Sequence, residues 1–195
     1  MSTILEYSKI SFQIQRSPGL LNRDLDSTDE SRRMNDSKPP ATLPQEVVNA
    51  FSAAAMTALQ ELIQVEAFAD PDIHNPLDSS PGTFVSASLT LKRNVPGTMS
   101  LVLTEETASR LAARYLPEGT ALNREIVDDV AGEFANVIAG QAKTVLKGTP
   151  HHYTISTPVV TRATSVNQLS SAETGGLAAS LQSELGRILL FVNLP

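Results

Sequence analysis

Between Asp129 and Lys143 the sequence reads DVAGEFANVIAGQAK, which sets Asp129, Glu133, Asn136, Gly140 and Lys143 at alternating steps of four and three. On a helix advancing about 100° per residue, these five fall within about 80° of arc. A carboxamide accepts through its carbonyl and donates through its amino group, so such a line could dock a partner. Ordinary helix physics offers a simpler account. Every surface helix has a polar face, and Glu-to-Lys spacings add a few tenths of a kcal/mol. Two residues sit badly with that account. Gly140 in a helix interior costs about 1 kcal/mol against alanine, and the Asn136 amide competes for backbone partners. Both choices make sense on a line that another protein's backbone approaches closely.

Other chemistry-bearing residues point nowhere as definite. Glu46 and Asn49 repeat the E-xx-N spacing in PQEVVN and raise the possibility of a second site. Thr42 stands four residues before Glu46, but Ala53 stands where the glycine would fall. His151 and His152 are adjacent, and on a strand adjacent side chains face opposite ways, so they cannot simply share a metal. A surface role at a helix end or strand start is expected of them, and His74 lies in a Pro/Asp loop. The absence of cysteine excludes disulfides, thiolate zinc sites and cysteine nucleophiles. The serines of SVNQLSSAETGG lack a nucleophile elbow or a lysine partner, and AETGG is turn chemistry.

The elements that must position the line can be read from pattern. NREIVDDVAGEFANVIAGQAKTVLK is the longest helical pattern, with Asn123 as its cap and Gly148 and Pro150 as its stop. Its apolar side is expected to hold Ile126, Val130, Phe134, Val137, Ile138 and Val145. An earlier helix begins at Pro44, with Val47, Val48, Phe51, Ala54, Ala55, Ala58, Leu59 and Leu62 on one face. The Pro- and Asp-rich loop ADPDIHNPLDSSPG follows it. FVSASLTLK and TMSLVLT alternate as strands around the turn NVPG, which predicts a hairpin. Thr104 caps a short helix, EETASRLAARYL, with an acidic first turn. HHYTISTPVVTRA reads as an edge or bulged strand broken at Pro158. LAASLQS and RILLFVNL close the chain across a tight turn near Glu184 to Gly186. A helix followed by a strand pair thus occurs twice, a hint of internal pseudo-symmetry.

Composition bounds the rest. Residues 16 to 44 are polar and Ser/Asp/Arg-rich and cannot bury enough apolar surface to offset the entropy of ordering. Residues 1–43 are therefore expected to form a disordered or weakly structured tail or linker, with a short strand possible over Ile10, Phe12 and Ile14, and 44–195 the domain. The first 43 residues carry six basic and six acidic side chains; the remaining nine and 15 place the whole net charge of −6 on the domain. That balance argues against nucleic-acid binding through a broad basic face. No apolar run approaches the roughly 18 residues that span a bilayer, and the N-terminus lacks a signal peptide's basic start and apolar core. A cytoplasmic location without membrane attachment is the expectation.

The string D-VAG-E-FA-N-VIA-G-QA-K resembles the signature helix of the CheC/CheX/FliY chemotaxis phosphatases, a D/S-xxx-E-xx-N pattern. The similarity is greatest to single-site CheX. It extends to VVNAF on the opening helix, to the hairpin and to ISTPVV, and covers roughly Pro44 to Pro195. The resemblance implies an α+β, two-layer CheC-like fold: a mostly antiparallel sheet packed by about three helices. It further implies hydrolysis of the aspartyl phosphate on a CheY-like response regulator. Glu133 would reach the regulator's active-site lysine, Asn136 would orient the attacking water, and Asp129 would support them. Gly140 would leave room for the partner, and Lys143 belongs to the same partner-facing line without a defined task. No metal or cofactor of its own is implied; the divalent cation, Mg, would belong to the receiver. A homodimer is implied as well. The competing reading is a non-catalytic, dimeric docking module for a receiver domain.

Overall fold

The computed structural model describes residues 43–70, 82–165 and 176–195, all within the compact unit Lys38–Pro195. The possible strand at 10–14, the polar stretch up to residue 42, His74 and most of its loop, and nearly all of SVNQLSSAETGG lie outside the described residues.

Helix α1 spans Gln45–Ile63. Pro44 precedes its first turn, where a missing N–H costs no helical hydrogen bond, and Gln64 ends it in the left-handed conformation at φ 57°. Val47, Phe51, Ala54, Ala55, Ala58, Leu59 and Ile63 form the buried face, whereas Leu62 is partly exposed. Strand β1, Ala67–Ala69, follows at once. It falls at the start of what the sequence presents as a loop, and three residues are too few to show a period. Strands β2, Phe84–Lys92, and β3, Gly97–Thr104, form the expected hairpin, with Val85, Ala87, Leu89 and Leu91 opposite Leu103, Leu101, Met99 and Gly97. Helix α2, Glu105–Tyr115, starts where Thr104 Oγ1 accepts from the Thr107 N–H at 3.1 Å. Helix α3, Arg124–Val145, starts where Asn123 Oδ1 accepts from the Ile126 N–H at 2.9 Å. Such caps satisfy a donor that the helix itself leaves unpaired.

The strand broken at Pro158 resolves into β4, Thr154–Ile155, and β5, Val159–Ala163, both antiparallel to β2. Strands β6, Gly176–Ser183, and β7, Gly186–Asn193, complete the sheet. Their turn needs Gly186, whose φ of +126° is a left-handed value that side-chain-bearing residues rarely adopt. The strand order is β1-β6-β7-β3-β2-β4, with β5 also beside β2, and every pairing is antiparallel. This is the α+β fold expected from the resemblance: among the described residues, three helices and a seven-stranded antiparallel sheet.

The buried faces of all three helices join alternate residues of β2, β3, β6 and β7 in one core. Each fully buried aliphatic or aromatic side chain there contributes about 1.5–3 kcal/mol. The other face of the sheet holds a smaller cluster, Phe84, Val102, Leu189 and Phe191, and there the Ser88 and Ser100 hydroxyls lie 2.8 Å apart.

Candidate functional site: the outer line of helix α3

Helix α3 buries Val127, Val130, Ala131, Gly132, Phe134, Ala135, Ile138, Ala139 and Ala142. Two flanks hold it. On one, the Phe134 ring meets Tyr115 of α2 edge-to-face at 5.5 Å. On the other, β5 lies directly on the helix backbone: a Cβ added at Gly132 would sit 3.4 Å from Pro158 Cγ and 3.6 Å from Val160 Cγ2. Farther along, the Tyr153 hydroxyl donates to the Ala139 carbonyl at 2.9 Å while its ring stacks on Phe51 of α1. Burial pushes the Tyr153 phenol well above its ordinary pKa.

Arg162 of β5 completes the second flank. Its Nε and Nη2 donate to Asp128 Oδ1 at 3.1 and 2.7 Å, and its Nη1 donates to Glu105 Oε1 at 2.7 Å. Burial works against the guanidinium charge, but the hydrogen bonds and charge of Asp128, then those of Glu105, outweigh it and leave its pKa above the ordinary value.

With the helix so held, the line predicted from spacing faces outward. Asp129 and Glu133 are exposed, and Asn136, Gly140 and Lys143 are partly buried. Among the described residues, no hydrogen bond or ion pair engages the side chains of Asp129, Glu133, Asn136 or Lys143. A Cβ at Gly140 would meet nothing within 4 Å, so space stands open above the helix at that point. Two clefts among the described residues, about 510 and 280 Å³, border the α1–β6 and β2–β4 regions and include none of the five residues. The site is therefore a ridge suited to a macromolecular surface. Among the described residues, no group of three or more His, Asp or Glu side chains could hold a metal ion, and no helix is long and apolar enough to cross a membrane.

The apolar side of α3 is narrower than its pattern predicts. Val145 is 62% exposed while Ala142 and Leu146 beside it are buried, so the covered side of the last turn lies toward those two residues. Ile126 and Val137 are partly buried at the margins. The second E-xx-N pair lies elsewhere, on α1. There Glu46 Oε1 meets His151 Nε2 at 2.9 Å, and Asn49 Oδ1 accepts from Gln45 Nε2 at 3.0 Å. His151 thus has the surface role expected at a helix end, and His152 is exposed.

The family model for the chemotaxis phosphatase CheX matches residues 85–178, from β2 through α3 into β6, and so contains the whole line. That segment, just under half of the chain, is similar to CheX. Solved structures share the fold of this chain. The chemotaxis protein CheX from Vibrio vulnificus is 21% identical, with 77% of this chain and 98% of that one covered and a TM-score of 0.57. The CheX of Desulfovibrio desulfuricans is 17% identical, with 77% and 99% covered and a TM-score of 0.60. The CheX–CheY–BeF3–Mg2+ complex of Borrelia burgdorferi gives 20% identity, 75% and 96% coverage and a TM-score of 0.53. No curated protein matches the chain.

Spacing within α3 did not reveal Gly132, Asp128 or Arg162. Gly132 reads as a helix interruption until β5 is laid against it, and Asp128 reads as one more polar residue beside Asp129. The alternation of VVTRA puts Val160 and Arg162 on one face, which was the available signal.

Proposed function

We propose that this CheX-like chain hydrolyses the aspartyl phosphate of a CheY-like response regulator and thereby ends its signal. The observation that carries the proposal is the pair Glu133 and Asn136. Both stand unengaged on the outward line of a helix held on both flanks, inside the segment matched by a chemotaxis phosphatase family.

The chemistry asks little of the phosphatase beyond position. An aspartyl phosphate is already activated, and phosphoryl transfer depends mainly on alignment and charge stabilisation. Glu133 is a free carboxylate able to meet the active-site lysine of a receiver and anchor α3 beside the phosphoryl group. Asn136, one helical turn on, accepts from a water through Oδ1 and donates to a phosphoryl oxygen through Nδ2. The water oxygen then bonds to phosphorus as the bond from phosphorus to the aspartate oxygen breaks, releasing the carboxylate and inorganic phosphate. Asp129 supports the anchor, and Gly140 admits the partner's backbone. The divalent cation belongs to the receiver in this reading, which the presence of Mg2+ in the Borrelia burgdorferi complex of CheX with CheY and BeF3 supports. The acidic domain suits a partner with a basic rim. A homodimer and a cytoplasmic location complete the proposal and rest on the family resemblance.

The test is phosphate release from a phosphorylated receiver of the same source, with and without the protein. Acceleration that vanishes in Asn136→Ala while binding survives is the expected result. Binding without acceleration in the intact protein would leave a docking module.

A further inference from the structure

Which way Glu133 and Asn136 point depends on the roll of α3 about its axis; Tyr153 ties the later part of the helix through the Ala139 carbonyl, and Arg162 ties its start by a directional side-chain contact. Gly132 and Asp128 lie on the same flank, four residues apart, and both face β5. The Gly132 contact, with Pro158 and Val160, is apolar and non-directional. The Arg162 contact is neither. Its guanidinium, at 15% side-chain exposure, joins Asp128 of α3 and the first residue of α2, Glu105, in one planar fork. Asp128 immediately precedes Asp129, at the start of the outward line.

We infer that Arg162 is a positioning residue for the phosphatase reaction, setting the roll of α3 through Asp128 so that Asn136 and Glu133 meet the receiver in register. The inference rests on the phosphatase reading above. Its size follows from geometry. A side-chain tip about 6 Å from the helix axis moves about 1 Å when the helix rolls by about 10°. A displacement of about 1 Å can cost on the order of 100-fold in rate at an alignment-dependent step. Arginine is required for its fork: a lysine at the same place keeps the charge but offers a single point donor and cannot hold Asp128 and Glu105 in one plane. The same geometry explains why a strand is built over the flank of a catalytic helix. Strand β5 fixes the start of α3 while leaving its outer line uncovered.

Arg162→Lys and Asp128→Asn test the inference in the full chain, with kcat and KM measured on a phosphorylated receiver and the folded fraction taken from a thermal melt. The expected result for Arg162→Lys is a folded protein with kcat lowered about tenfold and KM within about twofold. A merely structural role would lower the melting temperature and leave kcat per folded molecule unchanged, and that result overturns the inference. Should Arg162→Lys fail to fold, Asp128→Asn is read in the same way. The side-chain amide signals of Asn136 in 15N spectra give a readout independent of activity. They are expected to shift in Arg162→Lys, and unmoved signals overturn the inference. If the intact protein releases no phosphate, the phosphatase reading fails, and the Asn136 signals still decide whether Arg162 sets the helix.

Discussion

The domain carries Glu-xx-Asn twice, on α1 at Glu46 and Asn49 and on α3 at Glu133 and Asn136, and only the second copy is free to act. Glu46 lies in the first turn of α1, within reach of the segment that follows α3, and His151 occupies it. Asn49 spends its carbonyl on Gln45 within the same helix. Glu133 and Asn136 stand mid-helix, where neighbouring elements cover the flanks but leave the outer line bare. Equal spacing gave equal geometry along the helix axis. What differs is whether the rest of the chain supplies partners to the pair.

The strongest way to break this contrast is to delete the amides. Asn136→Ala should lower the phosphatase rate by about 100-fold or more, in line with the loss of one oriented polar group at a reacting centre. Asn49→Ala should leave the rate within about twofold. Equal losses in a phosphate-release assay would mean that both copies act. The carboxylates come next. Glu133→Gln should raise KM for the phosphorylated receiver about tenfold, equivalent to about 1.4 kcal/mol. Glu46→Gln should leave KM unchanged and cost under about 1 kcal/mol of stability, as for a half-exposed pair; titration and a denaturant melt separate the two effects. At Gly140 the open space predicts opposite signs for two substitutions. Gly140→Ala should stabilise the helix by up to about 1 kcal/mol, whereas Gly140→Trp should fold equally well yet weaken receiver binding by more than about tenfold if a backbone passes there.

The smallest effect concerns Tyr153, which touches both helices through Phe51 and the Ala139 carbonyl. Its folded-state pKa is raised. Its contribution is therefore fully present below the unfolded tyrosine value of about 10 and is lost as pH rises beyond it, because the unfolded chain then releases the proton more readily. Tyr153→Phe should cost about 1 kcal/mol at neutral pH and flatten that alkaline loss, as measured by melts between pH 8 and 11.

Much of this was legible before any coordinates. Thr104 and Asn123 announced their helices because a cap is a local device, read within three residues of the first turn. The line from Asp129 to Lys143 was legible for the same reason, since helical period is local. The alternation of β2 and β3 around Arg93 to Pro96 likewise needs no distant information. The failures share a cause. Arg162 meets residues 34 and 57 positions away, and Glu46 meets His151 across most of the domain. No spacing rule links such pairs, because the sheet order that brings them together is itself non-local. Val145 fits the apolar period yet is exposed, since period says which side a residue faces and not whether anything lies opposite.

That sheet order has a consequence for how the protein is made. Strand β7 sits between β3 and β6 in the sheet, although it follows the other six described strands in the sequence. Until Gly186–Asn193 emerges, β3 exposes an apolar edge with no neighbour on that side, and the core beneath all three helices is open. Pairings of such sequence separation form slowly, and unpaired edges invite association between chains. A nascent chain that already contains every residue of the outward line would thus have no framework to hold it. The outward line gains its framework only once Gly186–Asn193 has joined the sheet.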